Sequence, residues 1–163
     1  LEGRELAHMR PVVIPSRDGL KLVSYLTLPP RAERGRPLPM VLAVHGGPWA
    51  RDRWGYNSYH QWLANRGYAV LSVNFRGSSG FGNQFADSIN PRTGELPYKD
   101  TILAAEYFAR QKWIDPDRMA VLASWLNSGA PGGDVAPRPA DELRLRPVRG
   151  AARDAVCASY RLS

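Results

Sequence analysis

A short apolar run at residues 40–44, Met-Val-Leu-Ala-Val, ends abruptly in His45-Gly46-Gly47-Pro48. Five apolar residues are too few for a stable helix, and with two β-branched valines they predict a strand buried on both faces. The two glycines permit a turn that other residues disfavour, and the proline fixes the exit from it. Because open α/β sheets bind their ligands at the carboxyl ends of the strands, this turn is the first candidate for a functional site.

A second glycine-rich loop follows the next apolar run. Residues 68–75 are nearly all apolar and predict another buried strand, which leads into Arg-Gly-Ser-Ser-Gly-Phe-Gly at residues 76–82. Neither the G-x-G-x-x-G pattern of dinucleotide sites nor a P-loop is present there. A helix is predicted between the two strands, at residues 58–66, capped by Ser58 and with Tyr59, Trp62 and Leu63 on its apolar stripe. Strand, helix and strand at this spacing indicate a right-handed βαβ unit of a parallel sheet.

The two loops, in this order and at this spacing, resemble the catalytic domain of the prolyl oligopeptidase family of serine peptidases, and in particular its acylaminoacyl-peptidase and dipeptidyl-peptidase branch. The resemblance extends over about residues 12–122. It implies an α/β protein with an incomplete α/β-hydrolase fold, which opens with an antiparallel hairpin and continues with parallel βαβ strands. The sequence agrees with such a hairpin, because Asp18-Gly19 lies between apolar runs at residues 11–15 and 22–28.

The resemblance also implies roles for the turn that follows the first buried strand. In the family, the backbone N–H in the region of Gly47 donates to the oxyanion of a peptide substrate, and His45, Gly46 and Pro48 form the active-site loop around it. We expect the ring of His45 to pack on the loop or to hydrogen-bond with it, rather than to act as the general base. The resemblance implies a structural role for Arg76.

The nucleophile elbow of this fold, Gly-x-Ser-x-Gly, should follow a third parallel strand, which the apolar run at residues 119–123 predicts. The sequence continues Ser-Trp-Leu-Asn, so Ser124 is the candidate nucleophile, but neither possible register around it satisfies the pattern. In this fold the acid and the base follow the serine along the chain. The three histidines, His8, His45 and His60, all precede it. We therefore expect no working triad in this chain.

A helix is also predicted for residues 98–112. Its apolar face is formed by Tyr98, Ile102, Ala105, Phe108 and Ala109, and its wet face by Lys99, Asp100, Glu106 and Arg110. The strands and this helix predict one shared core, formed by Val41, Leu42, Val44, Leu71, Val73, Phe75, Ile102, Phe108 and Val121.

The composition changes at the point where the elbow should be. Residues 125–163 are rich in Pro, Gly, Ala and Arg and contain no Lys, Phe or Ile, so we expect a disordered tail. The predicted boundaries are a lead-in at residues 1–10, a partial α/β-hydrolase domain at residues 11–124 and the tail at residues 125–163. A change of reading frame is one hypothesis for the joint change of motif and composition, and translation of the other two frames checks it.

The whole-chain composition excludes several function classes. The 163 residues carry a net charge of +7, but the arginines are scattered and no basic run or nucleic-acid motif occurs, so we expect no nucleic acid partner. No apolar run is long enough for a membrane helix, so no membrane partner is expected. Cys157, as the one cysteine, forms no internal disulfide and favours a reducing compartment, which predicts a cytoplasmic location. We also expect no cofactor and no metal.

Three functional hypotheses remain. The first is a fragment of a serine peptidase that hydrolyses peptide bonds by acyl transfer, inactive as it stands because the elbow, acid and base are missing. The second is a non-catalytic remnant or binding fragment. The third is an esterase or lipase of the same fold, which Pro48 disfavours because such enzymes tend to carry His-Gly-Gly-Gly. In each case residues 119–123 are expected to form an exposed sheet edge that favours self-association.

Overall fold

The computed structural model of the chain describes residues 5–33, 35–46, 49–89 and 97–123. The expected disordered tail and most of the junction at the predicted elbow lie outside these residues. The described elements follow the chain in the order β1 (Met9–Pro15), β2 (Lys21–Thr27), β3 (Leu38–Val44), α1 (Ser58–Ala64), β4 (Ala69–Val73), α2 (Asn83–Ala86), α3 (Pro97–Ala109) and β5 (Ile114–Ala123).

The strands form one mixed sheet in the order β1-β2-β4-β3-β5. β1 and β2 are an antiparallel hairpin around Asp18-Gly19, where Gly19 has a φ of 83° that a side chain would strain. β2 also pairs antiparallel with β4, whereas β3 pairs parallel with both β4 and β5. The predicted hairpin, βαβ unit and third parallel strand are therefore confirmed.

The sheet separates two apolar clusters, and the expectation of one shared core was wrong in this respect. The reason is the alternation of side chains along a strand, which sends the neighbours Val41 and Leu42 to opposite faces. The smaller cluster contains Val41, Leu63 and Val70. The larger one contains Leu42, Leu71, Val73 and Phe108 among others. Three of the expected core residues are only half-buried: Val44, Ile102 and Val121.

Helix α1 buries only part of the predicted stripe. Leu63 is buried as expected, whereas Tyr59 and Trp62 are 66% and 46% exposed and His60 is buried in their place. His60 occupies the core because the hydroxyls of Thr27 and Ser72 satisfy both ring nitrogens, each at 2.8 Å. The cap is Asn57 rather than Ser58, since the Asn57 side chain accepts a hydrogen bond from the backbone N–H of His60.

Helix α3 also departs from its predicted pattern. Asp100 was placed on the wet face, but it is fully buried, while Tyr98 of the expected apolar face is 44% exposed. The cause is an ion pair with Arg76, which satisfies the carboxylate inside the protein. Helix α2 is a single turn that directly follows the second glycine loop, and it was not predicted.

Within the part of the chain that the structure describes, β5 lies at one edge of the sheet, as expected for residues 119–123. Its pairing with β3 contains an irregularity between Leu38 and Met40 and is regular from Met119 onward. No helix among the described residues is long and apolar enough to cross a membrane.

Candidate functional site

The carboxyl ends of the parallel strands β3, β4 and β5 lie at the same end of the sheet. The segments that follow these strands therefore meet there. β3 runs into His45-Gly46, and β4 runs into the second glycine loop. The register pairs Val44 of β3 with Ala123 of β5. The active-site loop at residues 45–48 therefore begins beside the end of β5, where the fold places its nucleophile elbow.

His45 lies against the second glycine loop. Its ring stacks on Phe75 with centroids 4.3 Å apart and an interplanar angle of 22°. Its Nε2 lies 3.0 Å from the hydroxyl of Ser78, and its Nδ1 lies 3.3 Å from the carbonyl oxygen of Gly46. The ring thus contacts its own loop at Gly46, whereas it stacks on Phe75, which leads into the second glycine loop.

The segment just after the active-site loop rests on the same glycine loop. The backbone N–H of Ser79 donates to the Ala50 carbonyl at 3.1 Å. The Asp52 N–H donates to the Asn74 side chain at 2.8 Å, and the amide nitrogen of Asn74 donates back to the Asp52 carbonyl at 3.3 Å. The guanidinium of Arg51 reaches over the ring of Phe81 at 5.2 Å.

Asp52 is a half-buried acid at the same end of the sheet. Among the described residues, its Oδ2 atom is buried and has no hydrogen-bond partner. Burial raises the pKa of Asp52, because removal from water disfavours the charged form, while the charge of His45 and the Ser72 hydroxyl act in the opposite direction. The predicted active-site loop thus begins with an imidazole, and a half-buried acid follows it along the chain.

Arg76 anchors the second glycine loop to the rest of the protein. Its side chain is 1% exposed, and its Nε donates to the fully buried Asp100 at 2.7 Å. Its Nη1 donates to Asp18 in the hairpin turn at 3.0 Å, and its Nη2 donates to Ser16. These bonds raise the pKa of Arg76 and hold it charged, with the bond to Asp100 as the largest cause. The structural role expected for Arg76 matches this arrangement.

The structure brings together some of the predicted site residues and leaves others undescribed. His45 and Gly46 lie at the carboxyl end of β3, whereas Gly47, Pro48 and Ser124 fall outside the described residues. The oxyanion role of Gly47 and the nucleophile candidacy of Ser124 therefore remain predictions.

The sequence did not predict that three polar residues lie at the site: Asp52, Asn74 and Ser78. One signal was available for Asn74, which follows a nearly unbroken apolar strand and so had to be buried with its hydrogen bonds satisfied. The pairings of Asp52 and Ser78 have no local sequence signal, because their partners come from other loops.

The chain is similar to known peptidases over most of its described length. Residues 54–122 match the prolyl oligopeptidase family. The chain is 50% identical over 128 residues to the dipeptidyl aminopeptidase BIII of Pseudoxanthomonas mexicana, an alignment that covers 75% of this chain and 19% of the relative. This portion of the chain belongs to the prolyl oligopeptidase family of serine peptidases.

A second relative is also similar to most of this chain but only over a small part of its own length. The dipeptidyl peptidase family member 6 of Caenorhabditis elegans is 34% identical over 127 residues, in an alignment that covers 66% of this chain and 17% of that protein. The chain thus spans about a fifth of the length of the P. mexicana relative and less of the C. elegans one.

Solved structures of the family share the fold. The acylaminoacyl peptidase of Pyrococcus horikoshii superposes with a TM-score of 0.66 at 28% identity, over 75% of this chain and 20% of that one. A puromycin-hydrolyzing peptidase of Mycobacterium tuberculosis gives a TM-score of 0.65 at 27% identity, over 72% of this chain and 18% of that one. The described sheet and helices are therefore part of an α/β-hydrolase fold.

Proposed function

We propose that this chain carries the oxyanion-binding part of a serine-peptidase acyl-transfer site and does not hydrolyse substrates by itself. One observation carries the proposal: the register that pairs Val44 with Ala123. Neighbouring strands of a sheet lie about 5 Å apart, so the loop after β3 and the position of the family's nucleophile are adjacent. An amide at Gly47 would then be within reach of the carbonyl that a nucleophile after β5 attacks.

The chemistry follows from that adjacency. Attack on a peptide carbonyl places negative charge on its oxygen, and a backbone N–H already aimed at that position stabilises the charge without reorganisation. The turn after β3 suits this role because glycine lets the backbone approach a substrate closely. Peptide substrates are proposed because the relatives are named as dipeptidyl and acylaminoacyl peptidases.

The residues after β5 lack the groups that acyl transfer requires. Ser124 is followed by Trp125 and Leu126 instead of the small residues that the strained elbow requires. Residues 124–163 contain no histidine, so they supply no histidine base in the position after the serine that this fold uses. Without a base to take its proton, a serine hydroxyl is a weak nucleophile at neutral pH.

Labelling with a fluorophosphonate probe tests this proposal, because the probe reacts only with an activated serine. The full chain is expected to stay unlabelled and to release no chromophore from dipeptidyl p-nitroanilide substrates, and Ser124→Ala should change neither result. The intact P. mexicana relative serves as the positive control. Labelling of the chain that disappears in Ser124→Ala would overturn the proposed lack of activity.

A further inference from the structure

The active-site loop is attached to the protein on both sides by the same segment. Before the loop, His45 stacks on Phe75 and contacts Ser78. After the loop, the 50–52 backbone is bonded to Asn74 and to the backbone of Ser79. Residues 74–79 therefore support both ends of the loop, and we call them the support segment.

The contact between Ser78 and His45 has a defined direction. The Ser78 hydroxyl lies 2.6 Å from the Phe75 carbonyl oxygen, which can only accept, so the hydroxyl proton is used there. The serine oxygen is then left as an acceptor for His45 Nε2, at 3.0 Å. The contact with Ser78 favours a proton on His45 Nε2, whereas the Gly46 carbonyl, which also can only accept, favours a proton on Nδ1 from 3.3 Å. The shorter contact at Nε2 selects the form that carries its proton there.

The contact between Asn74 and Asp52 works through the backbone. Asn74 is fully buried, and its amide nitrogen donates both to the carbonyl of Val23 on β2 at 3.0 Å and to the carbonyl of Asp52. Its oxygen accepts from the Asp52 N–H. The Asn74 side chain thus satisfies both the N–H and the carbonyl of Asp52 and links them by hydrogen bonds to β2.

We propose that Ser78 and Asn74 are positioning residues that fix the backbone on the two sides of the active-site loop, at His45-Gly46 and at Asp52. They act through His45 and Asp52 and do not themselves contact a substrate. The relevance of this to catalysis rests on the proposed oxyanion function, since a misplacement of about 1 Å in such a site costs about a hundredfold in rate. The positioning itself is a property of the loop and can be measured without turnover.

Nuclear magnetic resonance of the ¹⁵N-labelled full chain tests this positioning. The chain contains three histidines, so the imidazole signals of His8, His45 and His60 can be assigned individually. In the wild type, His45 is expected to carry its proton on Nε2. Ser78→Ala should shift the His45 imidazole signals toward a mixture of the two tautomers and should also shift the backbone amide signals of Gly46 and Gly47.

Ser88→Ala is the matched control. The Ser88 hydroxyl donates to the Phe85 carbonyl at 2.6 Å in the same three-residue arrangement as Ser78, but no contact joins it to His45 among the described residues. Ser88→Ala should leave the signals of His45, Gly46 and Gly47 unchanged. His60 reports on the integrity of the fold, because its ring joins α1 to Thr27 of β2 and Ser72 of β4, and its signals should be unchanged in both variants.

Asn74→Ala tests the contact with Asp52 independently of the contact between Ser78 and His45. It should shift the backbone amide signals of Asp52 and Gly47 and leave the proton of His45 on Nε2. Should Ser78→Ala lose the His60 signals through unfolding, Ser78→Cys decides the point, since it nearly keeps the volume and weakens the acceptor. Signals of His45, Gly46 and Gly47 that superimpose on those of the wild type in a folded Ser78 variant would overturn the proposal. That result would leave the oxyanion proposal standing, because the latter is tested separately by the effect of Gly47 variants on kcat.

Discussion

Arg76 and Asp100 are buried opposite charges that join the second glycine loop to helix α3. Replacing Asp100 with alanine removes the buried carboxylate that accepts hydrogen bonds from Nε and Nη2 of this guanidinium. Removal of one member of a buried pair strongly destabilises a protein, so Asp100→Ala should lower the free energy of unfolding by about 3 kcal/mol. Urea denaturation followed by circular dichroism measures this loss.

Glu106→Ala is the control on the same helix. Glu106 pairs with Arg110 at 4.0 Å on the protein surface, where both side chains are more than half exposed. Exposed pairs contribute about 0–1 kcal/mol, so this variant should unfold close to the wild type. Equal losses in the two variants would show that the buried pair is no stronger than a surface contact.

His60 should make the stability of the protein depend on pH. Burial lowers the pKa of His60 from 6.5 to about 4, so the folded state keeps the ring neutral while the unfolded state binds a proton below about pH 6.5. The stability that the neutral ring provides is therefore complete above pH 6.5 and is lost as the pH falls toward 4. The gap between the two pKa values corresponds to about 3 kcal/mol.

Urea denaturation between pH 7 and pH 4 checks this dependence in the wild type and in His60→Gln. The slope between pH 6.5 and pH 4 should become shallower when His60 is replaced. His8→Gln serves as the control, because His8 is exposed in the structure and its replacement should leave the slope unchanged. A His60→Gln slope equal to that of the wild type would contradict the prediction.

At the scale of secondary-structure elements, β3 is the central support of the site. Leu42 lies in its middle, is 1% exposed and belongs to the larger apolar cluster. Leu42→Ala should lower the free energy of unfolding by about 2–5 kcal/mol, since it removes buried methyl groups and leaves a cavity. Val13→Ala on β1, where the side chain is 54% exposed, should cost about 0.5 kcal/mol or less. A cost below about 1 kcal/mol for Leu42→Ala would contradict the position of β3.

The elements themselves were largely predictable from the sequence. The apolar runs at residues 40–44 and 119–123 and the turn at Asp18-Gly19 have strong local signals, because burial and turn geometry act on neighbouring residues. The buried faces of α1 and α3 were not predictable in this way. His60 and Asp100 look like surface residues in a helical pattern, and only their partners on distant strands and loops make burial possible.

The candidate site, too, could be predicted from the sequence only in part. The location of the active-site loop follows from the apolar strand and the two glycines after it, together with the resemblance to the family. The supports of the loop could not be predicted, because Asn74 and Ser78 reach Asp52 and His45 across separations of 22 and 33 residues. Hydrogen bonds between loops depend on the complete fold, and no local pattern specifies them.

At the scale of the whole molecule, the edge position of β5 predicts self-association. Its backbone is paired with β3 on one side, and the described residues supply no strand on its other side. Exposed strand edges favour pairing with another chain. We expect oligomers in size-exclusion chromatography and binding of a hydrophobic dye, in spite of the net charge of +7. A monodisperse monomer that unfolds cooperatively and binds no dye would contradict this expectation.

The most direct test of the account is the activity of a graft. Residues 1–122 of this chain are joined to the part of the P. mexicana dipeptidyl aminopeptidase that follows its aligned segment, and kcat is measured with a dipeptidyl p-nitroanilide. The graft should be active, and Gly47→Pro, which removes the donor N–H, should lower kcat by about 100- to 1,000-fold, whereas Gly47→Ala, which keeps the N–H, should lower it far less. A folded graft with no activity, or one in which the two Gly47 variants have the same kcat, would contradict the claim that this chain carries the oxyanion-binding part of the site.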